Sequence, residues 1–181
     1  MQIGNINVGR CGKNSKCEKK NNIVCFGPYG NLPTAHSWFS DEGVSKEIVT
    51  KVTLHVGSYA ANEDVITGIQ LTYGSVVGPL RGAKGYTNET CNLPGPGQFF
   101  GGVNGHARTH GTFDSFIYQL GFTGTTNQQT LCLAGTRAGE LFEKLAPADT
   151  TYKFAFIKGT QIIGEMLGGL HFCFESSKKE K

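Results

Sequence analysis

The stretch Ile66-Thr67-Gly68-Ile69-Gln70-Leu71-Thr72-Tyr73 decides the fold class. Ile69, Leu71 and Tyr73 alternate with Gln70 and Thr72, a period of two that puts one set of side chains in an apolar interior and the other outside, as a half-buried strand requires. The same rhythm recurs in Val52-Thr53-Leu54-His55-Val56, Phe116-Ile117-Tyr118-Gln119-Leu120, Tyr152-Lys153-Phe154-Ala155-Phe156 and Leu170-His171-Phe172-Cys173-Phe174. Between these runs lie glycines, 26 in 181 residues. That is about twice the ordinary share of roughly 7%, dispersed as turn residues are rather than gathered in a tract. Only Ala138 to Leu145 reads as helical, and it is too short to change the class. The chain is therefore all-β.

Working outward from that stretch, a weak threefold repeat is visible. Val56-Gly57-Ser58-Tyr59 leads to Ile66 to Tyr73, Asn104-Gly105-His106 leads to Phe113 to Leu120, and Ile157-Lys158-Gly159-Thr160 leads to Met166 to Phe172. Each unit reads strand, glycine, loop, strand, and Gly57, Gly105 and Gly159 fall about 50 residues apart. A single such unit cannot cover its own apolar face, so three of them close round a shared core as a prism of three sheets.

Domain organisation is simple. Residues 1–22 are polar and lysine-rich and are expected to form an irregular, cysteine-containing arm; 23–175 hold the β domain; 176–181 are a basic tail. The net charge of +3 is mild, and no basic stripe with interleaved aromatics marks a nucleic-acid partner. No apolar run approaches the ~20 residues of a membrane helix. Six cysteines, Cys11, Cys17, Cys25, Cys91, Cys132 and Cys173, include no CxxC pair. An even, dispersed set suits disulfides in an oxidising compartment, the competing reading being buried free thiols. Asn88-Glu89-Thr90 is a glycosylation acceptor pattern, placing Asn88 on a surface loop of a secreted protein. Secretion would require a leader removed ahead of Met1.

Phe26-Gly27-Pro28-Tyr29-Gly30, followed by a polar loop and Phe39-Ser40-Asp41-Glu42-Gly43, resembles the GPWG or GPYG opening of the jacalin-related lectin family. Ile66 to Gly74 resembles its I-x-G-[IL]-x-[VF]-x-Y-G strand, and Gly82-Ala83-Lys84-Gly85 lies at its glycine turn. Phe154 to Gly159 and Gly169-Leu170-His171-Phe172 resemble the close of the animal zymogen-granule branch. The likeness spans about residues 25 to 174, and the Cys11 to Cys25 arm departs from it. It implies a β-prism of three four-stranded Greek-key sheets with pseudo-threefold symmetry. It also implies a metal-free, cofactor-free sugar site at one end, binding glycans or glycoproteins, with avidity from several sites or from homo-oligomers.

In the family the site joins glycine-rich backbone after the opening strand, here Gly30, to a G-x-x-x-D loop. A carboxylate accepts hydroxyl donors from adjacent sugar oxygens while backbone N–H groups donate to them. Here Met166 stands at the Asp position and Ile162 at the glycine, so the last-repeat pattern is broken. Shifted by one residue, Gln161-Ile162-Ile163-Gly164-Glu165 still offers a carboxylate, and Gly111-Thr112-Phe113-Asp114 is the better match. Asn62 and Asp64 supply a third acidic loop, and Phe113 or Tyr59 has the shape to stack on a sugar. The plain alternatives stand beside these: Asp114 capping its own turn, Glu165 as a surface charge, the aromatics as core.

Catalysis finds no foothold. His106-Ala107-Arg108-Thr109-His110 has zinc-like spacing only on a helix, and this segment is a loop. No G-x-S-x-G elbow is present, and Gly95-Pro96-Gly97 precedes no helix that would make it a phosphate cradle. The expected function is sugar binding rather than turnover. The rival is a secreted structural or protein-interaction protein that keeps the prism without the sugar.

Overall fold

A computed structural model describes residues 18–20, 22–30, 37–59, 63–95, 97–108, 116–125, 129–145 and 151–176. The described residues form thirteen strands and no helix. The chain runs β1 (Glu18–Lys20), β2 (Ile23–Tyr29), β3 (Ser37–Ser40), β4 (Val49–Tyr59), β5 (Glu63–Tyr73), β6 (Val76–Gly82) and β7 (Thr87–Asn92). It continues through β8 (Phe100–Ala107), β9 (Ile117–Gly124), β10 (Thr130–Gly135), β11 (Glu140–Leu145), β12 (Tyr152–Ile162) and β13 (Met166–Ser176).

Three antiparallel sheets result, ordered β6-β5-β4-β7, β10-β9-β8-β11 and β1-β2-β13-β12-β3. Each centres on a long hairpin flanked by two outer strands. In the third sheet those flanking strands, β2 and β3, come from the start of the chain, whereas the hairpin β12-β13 comes from its end. This is the β-prism expected from the threefold repeat, with Glu18–Lys20 of the arm added as a fifth strand. The segment that reads as helical, Ala138 to Leu145, instead contains the edge strand β11, which pairs with β8 from Glu140↔Ala107 to Leu145↔Val103. Its register shifts between Phe142 and Leu145, and such a break in strict alternation blurs the period-two signal.

The marker glycines explain the shape of the hairpins. Register shifts fall beside each of them, at His55/Val56, at His106/Ala107 and at Gly159/Gln161. A β-bulge bends the strand and steepens its twist. A side chain there has no room: a Cβ on Gly105 would strike the Gln119 carbonyl and the Phe142 ring, and one on Gly159 the Gly169 carbonyl. Three equivalent bends aim three hairpin tips over the same end of the prism.

Inward-facing side chains fill the axis. Phe26, Phe122, Phe172 and Phe174 have no exposed surface, and the Phe122, Phe154 and Phe174 rings are linked at 5.2 and 5.6 Å. Full burial of such side chains contributes about 1.5–3 kcal/mol apiece. Among the described residues two disulfides fasten the shell: Cys91–Cys132 joins the first sheet to the second, and Cys25–Cys173 links β2 to β13 across 148 residues of sequence. Cys11 and Cys17 lie outside the described residues. The Phe39-Ser40-Asp41 motif is a clamp. Asp41 donates its N–H to the Ile157 carbonyl at 2.9 Å and accepts from Arg81 at 2.5 and 2.8 Å. The Arg81 guanidinium also lies 4.8 Å from the Phe39 ring centre. Burial pushes the Asp41 carboxyl above its ordinary range, outweighing the pull of Arg81.

Candidate functional site

The hairpin tips belong to β4-β5, β8-β9 and β12-β13. Below them, Val65, Phe116 and Tyr118 form a small buried cluster against which Ala138, Ile162 and Met166 pack. Since these side chains come from all three sheets, the described ends of the three hairpins meet at one pole, a convergence that a threefold repeat alone leaves open. Gly111, Thr112, Phe113 and Asp114 lie outside the described residues, as do Asn62 and the Tyr59 side chain.

At the first tip, Asp64 and Glu63 open β5. The Tyr86 hydroxyl donates to Asp64 Oδ1, a bond that raises the Tyr86 pKa. Tyr118 donates to Glu63 Oε2 at 3.3 Å, and Arg108 stands 3.9 Å from Glu63 Oε1 and 5.3 Å from the centre of the Tyr118 ring. Burial raises the Tyr118 pKa, and Glu63 adds to the shift. The tip thus gathers two carboxylates, two phenols and a guanidinium; Glu63, Tyr86 and Arg108 are exposed, Asp64 is half-buried and Tyr118 is buried. Nearby, burial depresses the His55 pKa, with Lys84 adding to the effect.

The last tip carries another chemistry. Gln161 is 5% exposed, and its Oε1 accepts the Gly82 N–H at 2.7 Å. The Gly164 N–H returns the favour, donating to the Gly82 carbonyl at 3.2 Å. Ile162 is half-buried in the shared cluster, whereas Ile163, Gly164 and Glu165 are exposed. A hydrogen bond of 3.0 Å from the Glu165 N–H to the Ile162 carbonyl closes the turn, in which Gly164 has φ 75°. Met166, at the position matching the family's aspartate, packs downward into the cluster. Gly30 follows β2 with φ 74°, its carbonyl against Gly169.

Asn88 is exposed on the edge strand β7, where it pairs with His55, rather than in the loop expected of it. In Thr87–Asn92 only Cys91 faces inward, so the run carries no apolar alternation to reveal a strand. Among the described residues no group of three or more His, Cys, Asp or Glu is placed to hold a metal, and no helix is long and apolar enough to cross a membrane. His106 Nδ1 lies 3.0 Å from Gln119 Oε1. Two surface cavities, of about 450 and 430 Å³, sit away from the tips. One is lined by Thr50, Thr72 and Asn92, the other by Asp41, Lys153 and Glu175.

Glu63 lies on the acidic loop Asn62-Glu63-Asp64 that the sequence offers, whereas Tyr86, Arg108 and Tyr118 were not legible as site residues. Tyr86 is 22 positions from the carboxylate it meets, and the only sequence signal is an aromatic directly after the Gly82 to Gly85 turn.

No family model matches the chain, and no curated protein matches it. Solved structures do. The artocarpin–mannotriose complex superposes with a TM-score of 0.65 at 20% identity, covering 86% of this chain and 99% of that one. Frutalin from Artocarpus incisa gives 0.63 at 22%, covering 86% and 97%. A prostate-specific WGA16 glycoprotein lectin gives 0.60 at 18%, covering 90% and 98%. At such identities the likeness establishes the fold.

Proposed function

We propose that this chain is a secreted lectin of the jacalin-related kind, akin to the animal zymogen-granule branch, binding mono- or oligosaccharides without a metal. The reading is carried by one observation. Three hairpins that share the Val65, Phe116, Tyr118, Ile162 and Met166 cluster bring their turns to one end of a prism that is also the fold of artocarpin, a lectin with mannose specificity. The Asp114 loop is the first candidate for the sugar, and the Glu165 turn the second. At the first tip, Asp64 with Tyr86 is a further one.

The chemistry suits a sugar. Carboxylates accept paired hydroxyls and turn N–H groups donate to the same oxygens. With little apolar area covered, single-site affinity falls between millimolar and high micromolar by order of magnitude. Partners are then glycans or glycoproteins displayed in clusters, engaged through several sites or by homo-oligomers. In this reading residues 1–22 are an arm and 176–181 a tail on the lectin domain, Asn88 carries a glycan, and no turnover occurs.

A glycan array run with the parent, Asp114→Ala and Glu165→Ala tests it. Specific signals that weaken in one of the two variants are expected, and silence on every glycan would end the reading.

Gln161 and Met166 favour a second reading, a structural or protein-interaction protein. At the last tip one is committed to Gly82 and the other fills the cluster. Disulfide-linked multimers on a non-reducing gel, together with a silent array, would support it.

A further inference from the structure

The sequence contains a single tryptophan, and the structure leaves it 77% exposed. Trp38 sits on β3, an edge strand of the five-stranded sheet. A ring of that size normally goes where its area can be buried, so the position asks for a reason. Trp38 lies opposite Thr160, and its neighbour Phe39 lies opposite Gly159. Because Phe39 is in the core, Trp38 and Thr160 share the outer face.

The scaffold does not demand tryptophan there. Thr160 follows the marker glycine Gly159, as His106 follows Gly105, and His106 is paired on its own edge strand with Leu141. The equivalent position in the second sheet thus holds an exposed leucine. Packing explains neither the size nor the aromatic character of Trp38.

Its surroundings on that face are those of a sugar platform. The Thr160 hydroxyl accepts the Gly169 N–H at 3.0 Å and so keeps its own proton to donate. Gly169 has no side chain and backs onto Pro28 and the Gly30 carbonyl. Gly169 is itself buried beneath the exposed Pro28, so at about 4.8 Å per strand Thr160 and Pro28 form a low floor about 10 Å across. Ser40, Lys158 and His171 form the next row of the same face. Three residues beyond Thr160, the floor meets the exposed Ile163 to Glu165 turn.

We infer that this outer face is a subsite for an extended oligosaccharide. The Trp38 indole stacks on the apolar face of one sugar ring, the Thr160 hydroxyl donates to an oxygen of the next, and the chain continues toward the Ile163 to Glu165 turn. The inference rests on the lectin reading above and gives it a preference: glycans of three or more units bind more tightly than their single sugars.

The solitary tryptophan is its own reporter. The full chain is titrated with mannotriose, methyl mannoside and the strongest oligosaccharide found on the array, following indole emission, beside Trp38→Phe and Trp38→Ala. Circular dichroism checks that both variants fold. Expected are a change in parent emission on oligosaccharide binding, about tenfold weaker oligosaccharide binding in Trp38→Ala, less than threefold in Trp38→Phe, and unchanged single-sugar binding in both. Oligosaccharide binding that stays within twofold in Trp38→Ala, with unmoved emission, overturns the subsite while leaving the lectin reading intact. Binding of no sugar by any form removes the lectin reading and the subsite with it. A dimer whose indole is already shielded without sugar would make this face a contact between copies and overturn the inference.

Discussion

The first and last hairpin tips occupy equivalent places in the threefold scaffold and have been put to different uses. At the last, Gln161 and the Gly164 N–H both grip Gly82, and Met166 turns inward. At the first, Glu63 and Asp64 face phenols and a guanidinium in reach of water. The difference teaches that the prism specifies where a tip stands and not what it carries. Once a bulge beside glycine has bent each hairpin, the turn is free to become a bolt or a polar surface.

The comparison breaks most readily at Gly82. It has φ 77°, and a Cβ there would strike the Thr67 carbonyl and the Leu167 side chain. Gly82→Ala should therefore lose about 3 kcal/mol or more of stability in equilibrium urea unfolding. A loss below about 1 kcal/mol would mean the last tip is not bolted there. Gln161→Leu keeps the volume and removes the acceptor of a buried N–H, so about 2 kcal/mol should go. An unchanged midpoint would show that water replaces the amide. The smallest effect sharpens the contrast from the other side. Arg108 and Glu63 side chains are 53% and 50% exposed, and solvent screens such a pair, so Arg108→Ala should shift stability by less than about 0.5 kcal/mol. A larger loss by the same measurement would make the first tip a structural joint too.

Much of the fold was legible because the five alternating runs all fall on the hairpin strands β4, β5, β9, β12 and β13, with Phe116 just ahead of β9. Those positions face a core on one side, and their sequence must alternate. Edge strands have no such obligation: Thr87–Asn92 buries Cys91 alone, and Glu140–Leu145 breaks its register. The third repeat was legible only in part because its outer strands, β2 and β3, are supplied from the opposite end of the chain. The site was less legible still. Gln161 to Gly82 spans 79 residues and Arg81 to Asp41 spans 40, and no local pattern records a contact that only folding creates. Acidic loops could be named from sequence, but which of their side chains remain open to solvent depends on neighbours from other sheets.

The Cys25–Cys173 bridge lies near both ends of the folded domain, where β2 and β13 run side by side. A tether attached at either end, whether to a surface or to a second molecule, would pass its tension from one end to the other through that sulfur link. The sheets and the polar tips between them would carry almost none of it. Tension applied between the two ends of the domain thus bypasses the pole.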